Sequence, residues 1–196
     1  MKKNHKVYDE YNTDLEISDS SPLYKPWNEK WLNYLKNLNG ISENCKLKSN
    51  SKNIVLGEGN IDSPIMLIGE APGEIEDKVG RPFKGESGEL LDKMLIAINI
   101  KRQNIYTSYA INFRPPEDRK PTSPEIKRYS NFLKEHISII DPKIIILMGS
   151  TAMEAVTGIN EKISSERGKW KEIILNNNTY PLTKKLLTRH ILLKII

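Results

Sequence analysis

The sequence predicts an α/β protein, a three-layer α/β/α sandwich around a central, mainly parallel four-stranded sheet. The continuous apolar segment at 64–69 is typical of a strand that is covered on both faces of a sheet, and a further buried strand is predicted at 143–148. Stretches of helical period alternate with such strands, and the connections between them are short. This alternation is expected when helices pack on both faces of a parallel sheet.

The first part of the chain leads into this domain. Residues 1–21 carry many charges and few aliphatic side chains, so we expect a mobile tail that buries too little apolar surface to fold. We expect residues 22–196 to form a single domain, because 196 residues with 38% hydrophobic content supply one core. A helical period over 27–38 ends at Gly40, as helices often end at a glycine.

The next elements surround a loop that is dense in Gly, Pro and carboxylates. A connector carries a short predicted strand at 53–56 and a turn at 57–60, before the strand at 64–69. After the loop, a helix begins near Gly85 or Glu86. The predicted apolar face of this helix is formed by Leu90, Leu91, Met94, Leu95 and Ile98.

A second strand, at 104–111, leads into a basic, proline-rich loop at 113–121. The helix that follows opens with Ser123 as its N-cap, a first-turn proline and the acidic residue Glu125. Its predicted core side chains are Ile126, Phe132, Leu133, Ile137 and Ile140. After the third buried strand, residues 149–157 turn into another short helix.

Composition and charge exclude several classes of protein. The single cysteine, Cys45, cannot form a disulfide framework, and this chain alone cannot build a metal site from several thiolates. No apolar run approaches the roughly 18 residues that a membrane helix needs, so we expect no membrane partner. We also expect a cytoplasmic protein that works as a monomer. The net charge of +5 permits a polyanionic partner.

The acidic loop has the wrong charge for binding phosphate. Between 69 and 77 it contains carboxylates and no basic residue, whereas a phosphate cradle needs glycine amides with a Lys or Arg. Carboxylates at a strand end can instead orient or deprotonate a water, and the ring of Phe83 could stack on a flat ligand. Alternatively, the same acids could cap a helix or remain solvated.

The basic loop complements the acidic one. Its Arg114, Arg119 and Lys120 lie among prolines, and a rigid row of cations suits the phosphates of a nucleic acid backbone. Parallel strands bring both loops to one edge of the sheet, where α/β proteins bind ligands. Together the loops predict a site that holds a polyanion and acts on a planar group.

The residues of the acidic loop also carry a longer pattern. GEAPGEIEDKVGRPFKGESGELLDKML, at 69–95, resembles the first motif of the family 4 uracil-DNA glycosylases, GExPGxxED followed by GxPFxGxxGxLLD. RPPEDRKP at 114–121, PKIIILMG at 142–149 and RGKW at 167–170 extend the resemblance over roughly 42–170. It implies a DNA repair hydrolase that flips uracil out of DNA and hydrolyses its N-glycosidic bond, leaving an abasic site.

The resemblance implies roles for individual residues. Glu70 and Glu76 match the motif carboxylates, which act at the reacting centre or position water. Phe83 matches the aromatic residue that stacks on uracil, and Ala71 and Tyr109 join it at base-binding positions. The residues expected to face the DNA phosphates are Arg114, Arg119 and Lys120.

The sequence departs from the family pattern in three places, and the first two concern residues expected to contact uracil. Tyr109 replaces an asparagine that reads the uracil edge. The amide of an asparagine makes a paired donor and acceptor contact, whereas a phenol can make only one of the two. Asn112 is nearby, but we expect its side chain on the opposite face of an extended strand. In the late motif, only His190 remains as a candidate for the histidine that stabilises charge on uracil. After about residue 170 we expect a shortened or altered end, with weak or absent catalysis as its consequence.

Many family members hold a [4Fe-4S] cluster on four cysteines. The corresponding positions here are about Ser42, Cys45, Phe113 and Tyr129. One thiolate cannot retain such a cluster, so we expect no cluster and no other cofactor.

Three functions therefore remain open. The first is a uracil-DNA glycosylase with an altered pocket, which is the function that we expect, with reduced activity. The second is a catalytically impaired relative that retains the fold and binds DNA. The third is a nucleotide-binding or assembly module unrelated to DNA, which the acidic loop argues against in its phosphate-binding form.

Overall fold

A computed structural model describes residues 45–168, 170–174 and 190–195, with the backbone alone described for 173–174 and 190–195. The expected tail at 1–21, the helix at 27–38 and Ser42 lie outside the described residues. The same is true of most of the carboxyl-terminal stretch after 174.

The centre of the molecule is a six-stranded sheet. Its strands, in chain order, are β1 (Gly57–Gly59), β2 (Ile65–Gly69), β3 (Tyr106–Tyr109), β4 (Ile144–Leu147), β5 (Trp170–Ile174) and β6 (His190–Ile195). They lie in the order β1-β3-β2-β4-β6-β5. The four inner strands are parallel, and β1 and β5 pair antiparallel at the two edges. The expected four-stranded parallel centre is confirmed, and the two edge strands extend it.

Helices cover the sheet on both faces. They are α1 (Lys46–Asn50), α2 (Glu74–Val79), α3 (Glu86–Ala97), α4 (Ser123–Ile140), α5 (Ser150–Thr157) and α6 (Ile163–Glu166). Alternate residues of the strands point to opposite faces. On one face, Met66 and Ile145 pack with α4 and α5, whereas on the other Leu67 packs with Leu91 and Leu95 of α3. These two cores give the three-layer α/β/α sandwich that the sequence predicts.

The first edge strand corrects the expectation for 53–60. The strand expected at 53–56 is wrong, because Val55 is held by two bonds with Asn112 and forms no strand ladder. The strand lies instead where a turn was expected, at β1. Gly57 permits this pairing, since a Cβ at this position would lie 2.3 Å from the Tyr106 hydroxyl oxygen.

Two expectations about helices also need correction. The acidic loop contains a helix of its own, α2, which is too short to show an apolar period in the sequence. The predicted apolar face of α3 is only partly right, because Leu91 and Leu95 are buried while Leu90 is 60% and Met94 is 50% exposed. Ile98 follows the helix and is 63% exposed. All five core side chains predicted for α4 are buried.

The start of α4 differs from the expected one by one residue. Thr122, not Ser123, is the N-cap, and its backbone N–H and its hydroxyl donate to Oε2 of Glu125. Within the described residues, no helix has the length and apolar character to cross a membrane.

Candidate active site

The carboxyl ends of the inner strands meet at one edge of the sheet. β2 ends at Gly69, β3 at Tyr109 and β4 at Leu147, and they are neighbours in the order β3-β2-β4. Glu70 therefore lies beside the chain that leaves β3, and the N–H of Ile111 donates to its carbonyl oxygen at 3.3 Å. This edge gathers residues from three separate parts of the sequence.

Glu70 is held in place by a residue from the neighbouring helix. Its Oε2 accepts a 2.6 Å hydrogen bond from the Oγ1 hydroxyl of Thr151, in the first turn of α5. The side chain of Glu70 is half-buried, and its Oε1 has no hydrogen-bond partner among the described residues. One oxygen of this carboxylate is thus oriented by the protein, and the other can hold a water.

Glu76 is more deeply buried and makes several hydrogen bonds. Its Oε1 accepts hydrogen bonds from the N–H groups of Lys84 and Gly85, at 2.9 and 2.8 Å. Its Oε2 accepts one from the N–H of Gly73, at 3.2 Å. These bonds join the start of α2 to the start of α3 and fix the segment that carries Phe83. The catalytic role expected for Glu76 stays a prediction.

Phe83 lies against the residue that departs from the family pattern. Its ring stacks on the ring of Tyr109, with centroids 4.7 Å apart and the planes inclined by 27°. The guanidinium carbon of Arg102 lies 5.2 Å from the Phe83 centroid, within cation–π range. Phe83 and Tyr109 are 5% and 4% exposed. In this conformation the Phe83 ring leaves no face open to a base.

The hydroxyl of Tyr109 completes the contact. It accepts a 3.0 Å hydrogen bond from the backbone N–H of Phe83. Burial raises the pKa of Tyr109, and the nearby Glu76 carboxylate raises it further, so the phenol stays neutral. Gly69 is needed beneath the two rings, because a Cβ there would lie 2.8 Å from both Phe83 and Tyr109.

The three cations of the basic loop are exposed to different degrees and already have partners. Arg114 forms a bidentate salt bridge with Asp118, with N–O distances of 2.7 and 2.6 Å. Arg119 makes another with Glu125, at 2.9 and 2.7 Å, and this contact lowers the pKa of Glu125 to about 2. Lys120 instead donates to the Ser150 hydroxyl at 2.8 Å, so its charge is not compensated by that contact.

The remaining expected residues are spread around this edge. Ala71 follows Glu70 and packs partly against the main core. Asn112 is buried and donates from Nδ2 to the carbonyl of Val55 at 2.9 Å, away from the Phe83 ring pair. The backbone of His190 opens β6 and pairs with Ile174, while its side chain lies outside the described residues.

Three of the four positions that correspond to the family's cluster ligands lie within the described residues, and they supply one thiol, that of Cys45. Cys45 is buried, and the Tyr129 hydroxyl donates to its Sγ at 3.3 Å. The Phe113 ring lies edge-on to that of Tyr129, with centroids 6.2 Å apart. Aromatic rings thus fill the space beside the thiol. No group of three His, Cys, Asp or Glu suited to a metal occurs among the described residues.

The sequence interpretation did not single out Thr151, Ser150 or Arg102. Thr151 and Ser150 lie just after β4, so the rule that parallel strands share a carboxyl edge could have suggested them. Arg102 precedes β3, at the other end of that strand, and no sequence pattern indicates that it reaches Phe83.

Comparison with known proteins identifies relatives of this chain. Residues 56–191 match the model of the uracil DNA glycosylase superfamily. The chain is 42% identical over 125 residues to a type-4 uracil-DNA glycosylase of Thermotoga maritima, covering 63% of this chain and 65% of that protein. It is 40% identical over 149 residues to the type-4 enzyme of Sulfurisphaera tokodaii, covering 70% and 68%.

A third relative, the type-4 uracil-DNA glycosylase of Archaeoglobus fulgidus, is 34% identical over 133 residues, covering 66% of this chain and 67% of that protein. The chain thus spans about two thirds of the length of these relatives. Because the matched superfamily residues include most of the sheet and the whole acidic loop, the chain belongs to the uracil-DNA glycosylase superfamily.

Proposed function

We propose that this chain is a uracil-DNA glycosylase, which flips uracil from DNA and hydrolyses the bond between the base and the sugar. Membership of the superfamily supports the reaction class, and the type-4 relatives support uracil as the base. Flipping costs least for a mispaired base, such as uracil formed opposite guanine, and this difference adds selectivity.

The observation that carries the proposal is the position of Glu70. It follows central strand β2 at the ligand-binding edge, and Thr151 fixes one of its oxygens at 2.6 Å. The other oxygen would orient the attacking water toward the sugar carbon and accept its proton as the bond to the base breaks. Tight positioning matters because a general base must lie within hydrogen-bond reach of the proton that it takes.

The basic loop would bind the DNA backbone. Lys120 bridges the loop to Ser150 at the start of α5, so it would place a phosphate near Glu70. Arg114 and Arg119 would have to share their guanidinium groups with Asp118 and Glu125, which weakens their net attraction for phosphate. We therefore propose Lys120 as the strongest DNA-binding cation of the loop.

We also propose that the chain works as a cytoplasmic monomer without an iron–sulfur cluster. Cys45 supplies a single thiolate, and the rings of Phe113 and Tyr129 fill the space beside it. Iron and sulfide content of protein that has been purified without oxygen tests the absence of the cluster directly. Stoichiometric iron with sulfide would contradict it.

A second function, DNA binding without catalysis, is favoured by one observation. Tyr109 covers the Phe83 ring on which a base would stack, so the conformation described here does not accept a base. Excision and binding assays on the same protein distinguish the two functions.

The test of the main proposal is excision of a single uracil from a labelled oligonucleotide, single-stranded and opposite guanine, with enzyme in excess. We expect alkali-labile product, and a decrease of about 100-fold or more in rate for Glu70→Gln. Glu161→Gln, an exposed acid outside the site, is the matched control. Equal rates for wild type and Glu70→Gln would contradict the role of Glu70.

A further inference from the structure

We propose that Tyr109 is a gate that occupies the place of the flipped base, so that a base binds only after the Tyr109 ring has moved away. This inference rests on the proposed function and deepens it, because it names the residue that limits entry to the pocket. It predicts a glycosylase that is slow because its pocket is closed by its own side chain.

The contacts of Tyr109 are those that a bound pyrimidine would make. Its ring lies flat against Phe83, with centroids 4.7 Å apart. Its oxygen accepts the Phe83 N–H at 3.0 Å, as an exocyclic carbonyl oxygen of a base could do. The planar Tyr109 ring, with one acceptor at its edge, thus covers the Phe83 ring and accepts the Phe83 N–H. A base and Tyr109 cannot make these contacts at the same time.

Phe83 is the fixed partner of the pair. Its backbone has φ +54, and Gly88 packs so closely that a Cβ there would lie 1.9 Å from the Phe83 carbonyl oxygen. Glu76 anchors the two residues that follow Phe83, through their N–H groups. The segment that carries Phe83 therefore has little freedom to shift.

Tyr109 is the residue placed to move. It is the last residue of β3, next to the loop that leaves the sheet. It cannot move toward β2, because both rings already pack against Gly69. Opening must therefore swing the ring outward, away from the sheet.

Opening is the step that limits binding. When a protein binds a ligand only in its open state, the apparent affinity falls by the fraction of molecules that are open. The closed gate is stabilised by the ring stack, the hydrogen bond and burial, so we expect an open fraction of about one tenth or less. Removing the Tyr109 ring should therefore strengthen base binding by about tenfold or more.

The first experiment measures binding of the free base, which requires no catalysis. We expect uracil and p-cresol, the latter a copy of the tyrosine side chain, each to raise the melting temperature of Tyr109→Ala. Neither should raise that of wild type or of Tyr106→Phe, which changes the other buried tyrosine of β3. Uracil should also compete with p-cresol. A folded Tyr109→Ala that binds p-cresol but not uracil would overturn the proposal, as would one that binds neither.

The second experiment measures single-turnover excision of uracil. Tyr109→Asn, which replaces the ring with a short amide and leaves the Phe83 N–H free for a base, should excise uracil about tenfold or more faster than wild type. If wild type excises uracil as fast as Tyr109→Asn does, Tyr109 is not a gate, and the proposed glycosylase function still holds. If uracil binds Tyr109→Ala but no variant excises it, the gate holds and the proposed function fails. If neither variant folds, Tyr109 is an immovable part of the core, and the proposal is overturned.

Discussion

At the scale of single residues, Glu76 can either act in catalysis, as the sequence predicts, or position the segment that carries Phe83. Its hydrogen bonds allow the two roles to be tested. All three N–H groups that donate to the Glu76 carboxylate belong to the backbone, and these bonds join the starts of two helices. In Glu76→Gln one oxygen becomes an amide that cannot accept, so we expect a loss of about 1–3 kcal/mol in the free energy of unfolding. Urea denaturation measures this loss.

The control for Glu76 is Glu74→Gln on the same helix. Glu74 is exposed and pairs with Lys78 at the surface, so its substitution should leave the free energy of unfolding unchanged within the error of the measurement. If Glu76→Gln keeps full stability and loses excision, the carboxylate acts at the reacting centre, and the positioning role is wrong.

A second buried residue, His136, makes stability depend on pH. It is hydrogen-bonded to the Tyr106 hydroxyl at 2.9 Å, and burial lowers its pKa to about 3. As pH falls, the unfolded chain binds a proton at pH of about 6.5 while the folded chain does not. Stability is therefore lost progressively from about pH 6.5 down to about pH 3.

The expected change is about 2 kcal/mol between pH 7.5 and pH 5.0, measured by urea denaturation at both values. His136→Phe should remove most of this difference, because the group that titrates is gone. A wild-type protein with equal stability at the two pH values would show that His136 is protonated in the folded state.

Several candidate residues could be identified from the sequence, whereas their contacts depend on packing that the sequence does not contain. The acidic motif and the basic loop gave Glu70, Phe83 and Lys120 as candidates, because their types and spacing are local. The departure at Tyr109 was visible as well. The contact between Tyr109 and Phe83 could not be predicted, since the two residues are 26 positions apart and meet only through the packing of β2 and β3.

At the scale of elements, α3 shows that a helical period can predict a helix without predicting which of its side chains are buried. Its apolar residues cover more than one face, and periodicity alone does not say which face packs on the sheet. Leu95 is 7% exposed and belongs to the second core, whereas Leu90 is 60% exposed. We expect Leu95→Ala to cost about 2–5 kcal/mol of unfolding free energy.

Leu90→Ala is the matched substitution on the same helix. Because its side chain buries little surface, its effect should stay within about 0.5 kcal/mol. Urea denaturation of both variants measures the difference, and a larger loss for Leu90→Ala than for Leu95→Ala would mean that the opposite face of α3 packs on the sheet.

The elements that were predicted well have strong local signals. The helix α4 has a capping box, a first-turn proline and a regular apolar period, and it was placed to within one residue. The helix α2 has six residues and no such period, and β1 consists of glycines around one acid. These two elements exist because neighbouring strands and loops hold them, and a single sequence does not show those neighbours.

At the scale of the whole molecule, the parallel order of the inner strands brings the two loops together. The alternation of strands and helices predicts this order, whereas the antiparallel edge strands follow from pairing over long sequence distances. The resulting edge has one acid site and one basic loop, on a chain with net charge +5.

This arrangement predicts how DNA binding depends on salt. Lys120→Gln removes one cation from the loop, so the slope of log affinity against log salt should decrease by about 0.9. Lys143→Gln, at the opposite end of the sheet just before β4, should leave the slope unchanged. Equal slopes for wild type and Lys120→Gln would place the DNA elsewhere on the surface.

The most direct test of the proposed glycosylase function identifies the product. A single-stranded oligonucleotide with one uracil is incubated with excess protein, and free base is measured by chromatography beside the length of the oligonucleotide. We expect one free uracil per oligonucleotide, with a strand that stays intact until alkali is added. Bound DNA from which neither wild type nor Tyr109→Asn releases uracil would contradict it.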